Sequence, residues 1–183
     1  MATTIEAIAD AGGIAVQTVY YIFGTKRNLL AAVLDASIAG DIEPVPLLER
    51  PWIERFTAAS DASSAVELLV EGAVAVVART APVYEVVRTA AADPEVGALL
   101  DGNRRARRAD QRRLIELLAE HGHLRADLDV DEAADVFYAV MNEEVFRLLV
   151  VDCDWDEARF HAWASALLSD QLVRAPRAQR SPR

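Results

Sequence analysis

Apolar positions recur at helical spacing along nearly the whole chain, and no stretch keeps the alternation of a half-buried strand. Ile5, Ile8 and Ala9 share one face of a first helix, with Thr3 and Glu6 as a capping box and Gly12-Gly13 as its stop. A second short helix spans Val16 to Phe23 and is stopped by Gly24-Thr25. A third begins near Lys26 and runs through Leu29, Leu30, Val33 and Leu34 toward Gly40. Asp41 to Pro51 carries Pro44, Pro46 and Pro51, the mark of a linker or bend. Beyond Trp52 the pattern lengthens. It predicts helices over 62–79 and 82–92 separated at Pro82, then one from Pro94 to about His121, stopped by Gly122. Asp131 to Val151 is strongly apolar, and Trp155 to Val173 reads as the last helix. The expected architecture is all-α: a helix-turn-helix segment over 1–40, a larger helical domain over 41–174 and a disordered tail over 175–183.

Composition narrows the setting. Apolar residues make up 52% of 183, enough for a real core. No run approaches the roughly 18 apolar residues of a membrane span. The longest candidate, Val66 to Val77, is broken by Glu67, Glu71 and Gly72. The opening residues lack the basic start and apolar stretch of a secretory signal, and Cys153 is the single cysteine. These features point to the cytoplasm and away from a membrane. The net charge of −10 argues against a surface that binds nucleic acid all over. Residues 1–40 hold Glu6, Asp10 and Asp35 against Lys26 and Arg27, a net −1, so the remainder carries −9. Any DNA reader must be local and near the N-terminus.

The stretch TTIEAIADAGGIAVQTVYYIFGTKRNLLAAVL, Thr3 to Leu34, supplies one. Helix, glycine turn, short helix and further helix is the arrangement that braces a recognition helix against its support. Ile14, Val19 and Phe23 can face the supporting helices, which leaves Val16, Gln17, Thr18, Tyr20 and Tyr21 toward the outside. Gln17 can bond base edges in a major groove. Thr18 and Tyr20 can donate to phosphate oxygens, and Lys26 can neutralise one.

The segment resembles the N-terminal signature of the tetracycline-repressor (TetR-type) family of transcription regulators. The matching residues are Ile8-Ala9, Gly13-Ile14, Thr18-Val19-Tyr20, Phe23, Lys26 and Leu29-Leu30. The resemblance implies that Val16, Gln17 and Tyr21 face bases, while Thr4, Thr18, Tyr20 and Lys26 touch the phosphate backbone. Two departures stand out. Ala15 occupies the place of the family's usual capping residue, a loss of about 1 kcal/mol at the helix start. The family also has one more helix ahead of Thr3, so the segment is incomplete and Ile5, Ile8 and Val19 are expected to lose part of their cover. Either the functional start lies upstream of Met1, or the DNA binding of this form is impaired.

For the larger domain the resemblance implies effector binding and dimerisation. The apolar character of 131–151 and 155–173 fits a homodimer built on the last two helices. A small-molecule pocket is expected between the central helices. Trp52, Phe56, Tyr84, Phe137, Tyr138 and Met141 are its candidate walls, and Arg88, Asn142 and Glu144 its polar contacts. The arginines from Arg104 to Arg113 are flanked by Asp101, Asp110 and Glu116 and read as a solvated face. His121, His123 and His161 do not make a metal site, and Asp127 to Glu132 reads as an acidic helix start, not a calcium loop. No cofactor is implied and no convergent catalytic set can be assembled, so the chain does not read as an enzyme. The reading that results is a ligand-responsive regulator, a repressor by resemblance, bound as a homodimer to a near-palindromic double-stranded DNA operator. The alternative is a dimeric small-molecule-binding module whose DNA-binding segment no longer works.

Overall fold

The computed structural model describes residues 4–43 and 45–173. Among them every regular element is helical. In chain order these are α1 (Ile5–Ala11), α2 (Val16–Phe23), α3 (Lys26–Ala39), a 3₁₀ turn (Leu47–Glu49), α4 (Pro51–Thr57), α5 (Ala62–Ala90) and α6 (Pro94–Glu120). Then come α7 (Val130–Val140), α8 (Glu143–Arg147), a π-helical turn (Leu148–Asp152) and α9 (Glu157–Leu172). The tail 175–183 and Thr3 lie outside the described residues.

The first three helices form a small head. Its core is Ile5, Ala9 and Val19, backed by Val16, Phe23 and Leu29. Ile5 and Val19 are buried in this arrangement, so the loss of cover expected for them does not occur; Ile8 is the partly exposed one. The cap of α1 falls on Thr4, whose hydroxyl accepts the Ala7 amide at 3.2 Å, and not on the expected Thr3–Glu6 box. Gly13 turns the chain at φ +63°, a left-handed conformation that costs a residue without a side chain little. As the sequence implies, Ala15 gives α2 no side-chain cap, whereas Thr25 caps α3 by accepting the Asn28 amide.

The body is organised around α5. Val66, Leu69, Val70, Val74, Val77 and Val87 are buried along its length, because α4, α6, α8 and α9 surround it. That packing explains a departure from the sequence pattern. Pro82 does not split the helix. A proline in a helix interior loses one backbone hydrogen bond and costs about 3 kcal/mol. Here its ring faces solvent while Ala81 and Tyr84 are held in the core on either side, and the helix continues through it.

The apolar run 131–151 departs the other way. It is not one helix. Met141 leaves helical geometry at ψ 71°, and Asn142 adopts an extended backbone and caps α8 by accepting the Glu144 amide at 2.8 Å. The break turns Glu143 inward. The head is tied to the body by a second apolar cluster, Leu34, Tyr84, Val87 and Leu100, from α3, α5 and α6. Arg79 of α5 adds to this by donating to the Ser37 and Ile38 carbonyls at 3.2 Å. A cation there complements the negative end of the α3 dipole.

Candidate functional site

Two places on this frame carry functional chemistry. The first is the outer side of α2. One residue of that helix, Val19, is buried, with 1% of its surface exposed, and Val16 and Phe23 pack beside it against the head core. The opposite side presents Gln17, Thr18, Tyr20 and Tyr21 to solvent, with Tyr21 91% exposed. Of the residues assigned to DNA from the sequence, Gln17, Thr18, Tyr20 and Tyr21 therefore share an outward surface, and Val16 sits at its edge. Lys26 is exposed at the first turn of α3. Thr4 is exposed but engaged as the α1 cap. Ile14, expected to face inward, is half exposed, and Ile22 is 61% exposed. The sequence reading passed over Ile22. Its signal was its place four residues after Thr18, on the same helical face.

The second place is a cavity of about 70 Å³ between α4, α5, α6 and α7. Trp52 and Phe137, two of the expected pocket residues, line it together with Val76 and Val77. The others are placed elsewhere. Phe56 and Met141 are packed into the core. Arg88 lies on the surface, paired with Glu85 at 2.7 Å. Asn142 is the α8 cap. The Tyr84 hydroxyl accepts from the Arg104 guanidinium at 3.1 and 3.2 Å, and Glu144 lies beside it. Tyr138 accepts from Arg107 at 2.9 Å through its hydroxyl.

The polar walls of the cavity are groups the sequence reading did not assign to it: Thr80, Asn103, Arg107, Asp110, Gln111 and Glu143. Arg107 forms an ion pair with Glu143, and both are largely buried. Its guanidinium also lies 4.6 Å from the centroid of the Tyr138 ring, within cation–π range. Thr80 donates to Glu143 at 3.3 Å. The arginine run of α6 is thus not uniformly a solvated face. Arg108, Arg112 and Arg113 pair at the surface with Asp135, Asp131, Glu116 and Glu120, while Arg107 points inward. The signal was available: Leu100, Arg107, Gln111, Leu114 and Leu118 recur at helical spacing, and the other four are buried. Gln111 donates to the Met141 carbonyl at 2.9 Å. Burial pushes the Asp110 carboxyl above the usual carboxylate range.

A wide groove of about 870 Å³ between α3, α6 and the proline-rich segment adjoins this cavity. Ile38, Leu47, Asn103, Ala106 and Asp110 line both spaces. The inner cavity therefore opens toward the helix that carries the head.

A head of this form on an all-helical body invites comparison with known proteins. The family model described as bacterial regulatory proteins, tetR family, matches residues 1–33. The chain has the TetR-type fold and carries the family's N-terminal segment. Solved structures agree over nearly its full length. A chain from Saccharomonospora viridis described as a transcriptional regulator, in complex with choline, superposes with a TM-score of 0.67 at 18% identity, covering 94% of this chain and 88% of that one. The TetR family regulator PfmR from Thermus thermophilus gives 0.62 at 18% identity, covering 97% and 88%. The transcriptional regulator FadR from Bacillus subtilis, in complex with stearoyl-CoA, gives 0.64 at 16% identity, covering 91% and 87%. A comparison with curated protein sequences gives no match. Among the described residues of this TetR-type chain no helix is long and apolar enough to cross a membrane.

Proposed function

We propose that this TetR-type chain is a ligand-responsive transcription regulator of the cytoplasm, a repressor that binds a near-palindromic operator as a homodimer. The observation that carries the proposal is α2, which buries Val19 and presents Gln17, Thr18, Tyr20 and Tyr21 together on its free side. A buried anchor with uncharged hydrogen-bonding groups opposite suits insertion into a major groove. Val16 contributes at the edge of that surface, with Thr4 and Lys26 at the flanking backbone.

The effector is a small molecule held in the cavity between α4, α5, α6 and α7. Trp52 and Phe137 form apolar walls, and Arg107, Gln111 and Glu143 lie among the polar ones. Two structurally similar regulators were solved with choline and with stearoyl-CoA, which supports a small-molecule role for the body of this fold. Ile38 of α3 lines the cavity, so an occupant that favours one placement of α3 shifts the head with it. Coupling of this kind changes operator affinity by the same factor as it changes ligand affinity.

The test is binding to DNA from around the chain's own gene, read by fluorescence anisotropy at several salt concentrations. Sequence-selective binding that weakens with salt is expected, because phosphate neutralisation contributes to every such complex. Tyr21→Ala and Gln17→Ala each remove a base contact of about 1–3 kcal/mol, so about tenfold weaker operator binding is expected with the helical signal unchanged. If both variants bind as tightly as the parent, α2 is not the reading helix. If no sequence is selected at all, the regulator reading gives way to a ligand-binding module.

A further inference from the structure

We propose that the inner cavity and its mouth take a protonated aliphatic amine, whose N–H groups donate to Asp110 and Gln111 and whose methylene chain lies against Trp52 and Phe137. The proposal rests on the reading of this cavity as the effector site and names the chemistry of the effector.

The polar groups around the cavity divide into those already matched and those left open. Arg107 and Glu143 neutralise each other. The Arg107 guanidinium is further spent on the Tyr138 hydroxyl and ring, and Glu143 accepts from Thr80. The Arg107 Nε is also buried without an acceptor, but the Glu143 carboxylate already balances its charge, so a second anion would meet that carboxylate as well. Besides Asn103, whose side-chain amide can donate or accept, two acceptors remain. Gln111 is 8% exposed and uses its amide nitrogen on the Met141 carbonyl, which leaves its buried Oε1 with no donor. A buried acceptor without a partner costs about 1–3 kcal/mol, so it favours any occupant that supplies an N–H. Asp110 is the preceding residue on α6, half buried at the junction of cavity and groove, and no cation or donor among the described residues pairs with it. A carboxylate partly withdrawn from water favours a positive partner.

The groove beyond the mouth has the same sign. Asp35, Asp41, Glu43 and Asp110 line it against Arg27, and Asp41 is already paired with Arg50. Between the carboxylates the lining is aliphatic, including Ile38, Ile42 and Leu47. Carboxylates separated by apolar wall match ammonium groups separated by methylenes. The cavity itself, about 70 Å³, is smaller than the roughly 150 Å³ space that holds benzene. It admits a short alkyl end, and a longer amine must extend along the groove. A diamine therefore fits better than a monoamine.

The experiment titrates the full chain by calorimetry, at constant ionic strength, with n-butylamine, 1,4-diaminobutane, tetramethylammonium and butyrate. The amines are expected to bind at least tenfold more tightly than butyrate and tetramethylammonium, the latter having no N–H to give, with the diamine ahead. Asp110→Asn should lower amine affinity at least tenfold. Asp110→Lys should abolish it, and Glu67→Gln, an exposed carboxylate of α5 outside the cavity, should leave it unchanged. Butyrate binding as tightly as the amines, or amine binding insensitive to both Asp110 variants, overturns the proposal. So does the absence of amine binding. The effector reading fails separately, if the amines bind through Asp110 yet leave operator affinity unchanged.

Discussion

Asp110 shows how one side chain can oppose stability while suiting a ligand. Its folded-state pKa is raised, because burial disfavours the charged carboxylate. A group with a raised folded pKa supports the native state while it is protonated, and that support is lost as pH rises through the folded value. At neutral pH the ionised Asp110 therefore weakens the fold, and the other charged pair lining the cavity, Arg107 with Glu143, is closed on itself. Asp110→Asn is expected to raise the melting temperature at pH 7 by on the order of 1–2 °C, a small figure because the group is half exposed. The gain should shrink as pH falls through about 3.9, the ordinary aspartate value, toward the range where the side chain is protonated in both folded and unfolded chains. Melting curves from pH 3.5 to pH 7.5 check this. A variant less stable than the parent at pH 7 would mean that Asp110 has a favourable partner in the native state.

At the scale of elements, α4 and α5 meet closely at Gly72. A Cβ added at Gly72 would lie 2.3–2.8 Å from three atoms of the Trp52 indole, so the ring rests directly on the α5 backbone. The same indole is a wall of the cavity. Gly72→Ala must push Trp52 away, an overpacking that costs about 1–3 kcal/mol. The expected outcome is a lower denaturation midpoint together with altered tryptophan emission and weakened amine binding. Unchanged emission and stability would place the indole elsewhere. The glycine contact could not be read from the sequence, since Gly72 appeared only as an interruption in an apolar run. The head was legible for the opposite reason: glycines mark its helix ends and are local signals, although the α1 cap is Thr4 and not the expected Thr3. Pro82 misled because a local breaker was overridden by packing on both of its neighbours. The break at Asn142 was passed over because 131–151 was taken as one apolar run, although Asn142-Glu143-Glu144 interrupts it as a polar helix start, and the inward turn of Glu143 was missed with it. The cavity walls Trp52 and Phe137 were legible as aromatics. Its polar set was not, because Arg107 stands in a run of arginines that otherwise pair at the surface.

At the scale of the whole molecule, one head is not enough for the operator proposed. Two recognition helices must reach successive major grooves about 34–36 Å apart, which a dimer sets by its interface. The last helices offer a surface for it. One face of α9 is spent on the core through Phe160, Ala164, Leu168 and Leu172. Another is exposed and carries Ala158, Ala162 and Ala166 at four-residue spacing, ahead of Asp170. Leu148 and Val151, in the π-helical turn before it, are also exposed. Alanines on one face let two helices approach closely, and a twofold pairing repeats every contact twice. A single large charged side chain at the middle of that face should then be counted twice as well. Ala162→Arg is expected to shift sedimentation from twice the chain's 20.0 kDa to once, with helical content unchanged because Ala162 touches no core. Operator affinity should fall with it, since the two heads are no longer held at a fixed spacing. Ala126→Arg, in the loop between α6 and α7, should leave the dimer intact. A parent that sediments as a single chain at tens of micromolar, or an Ala162→Arg variant that stays dimeric, would move the interface away from α9, and the spacing of the two heads would have to be set by another face.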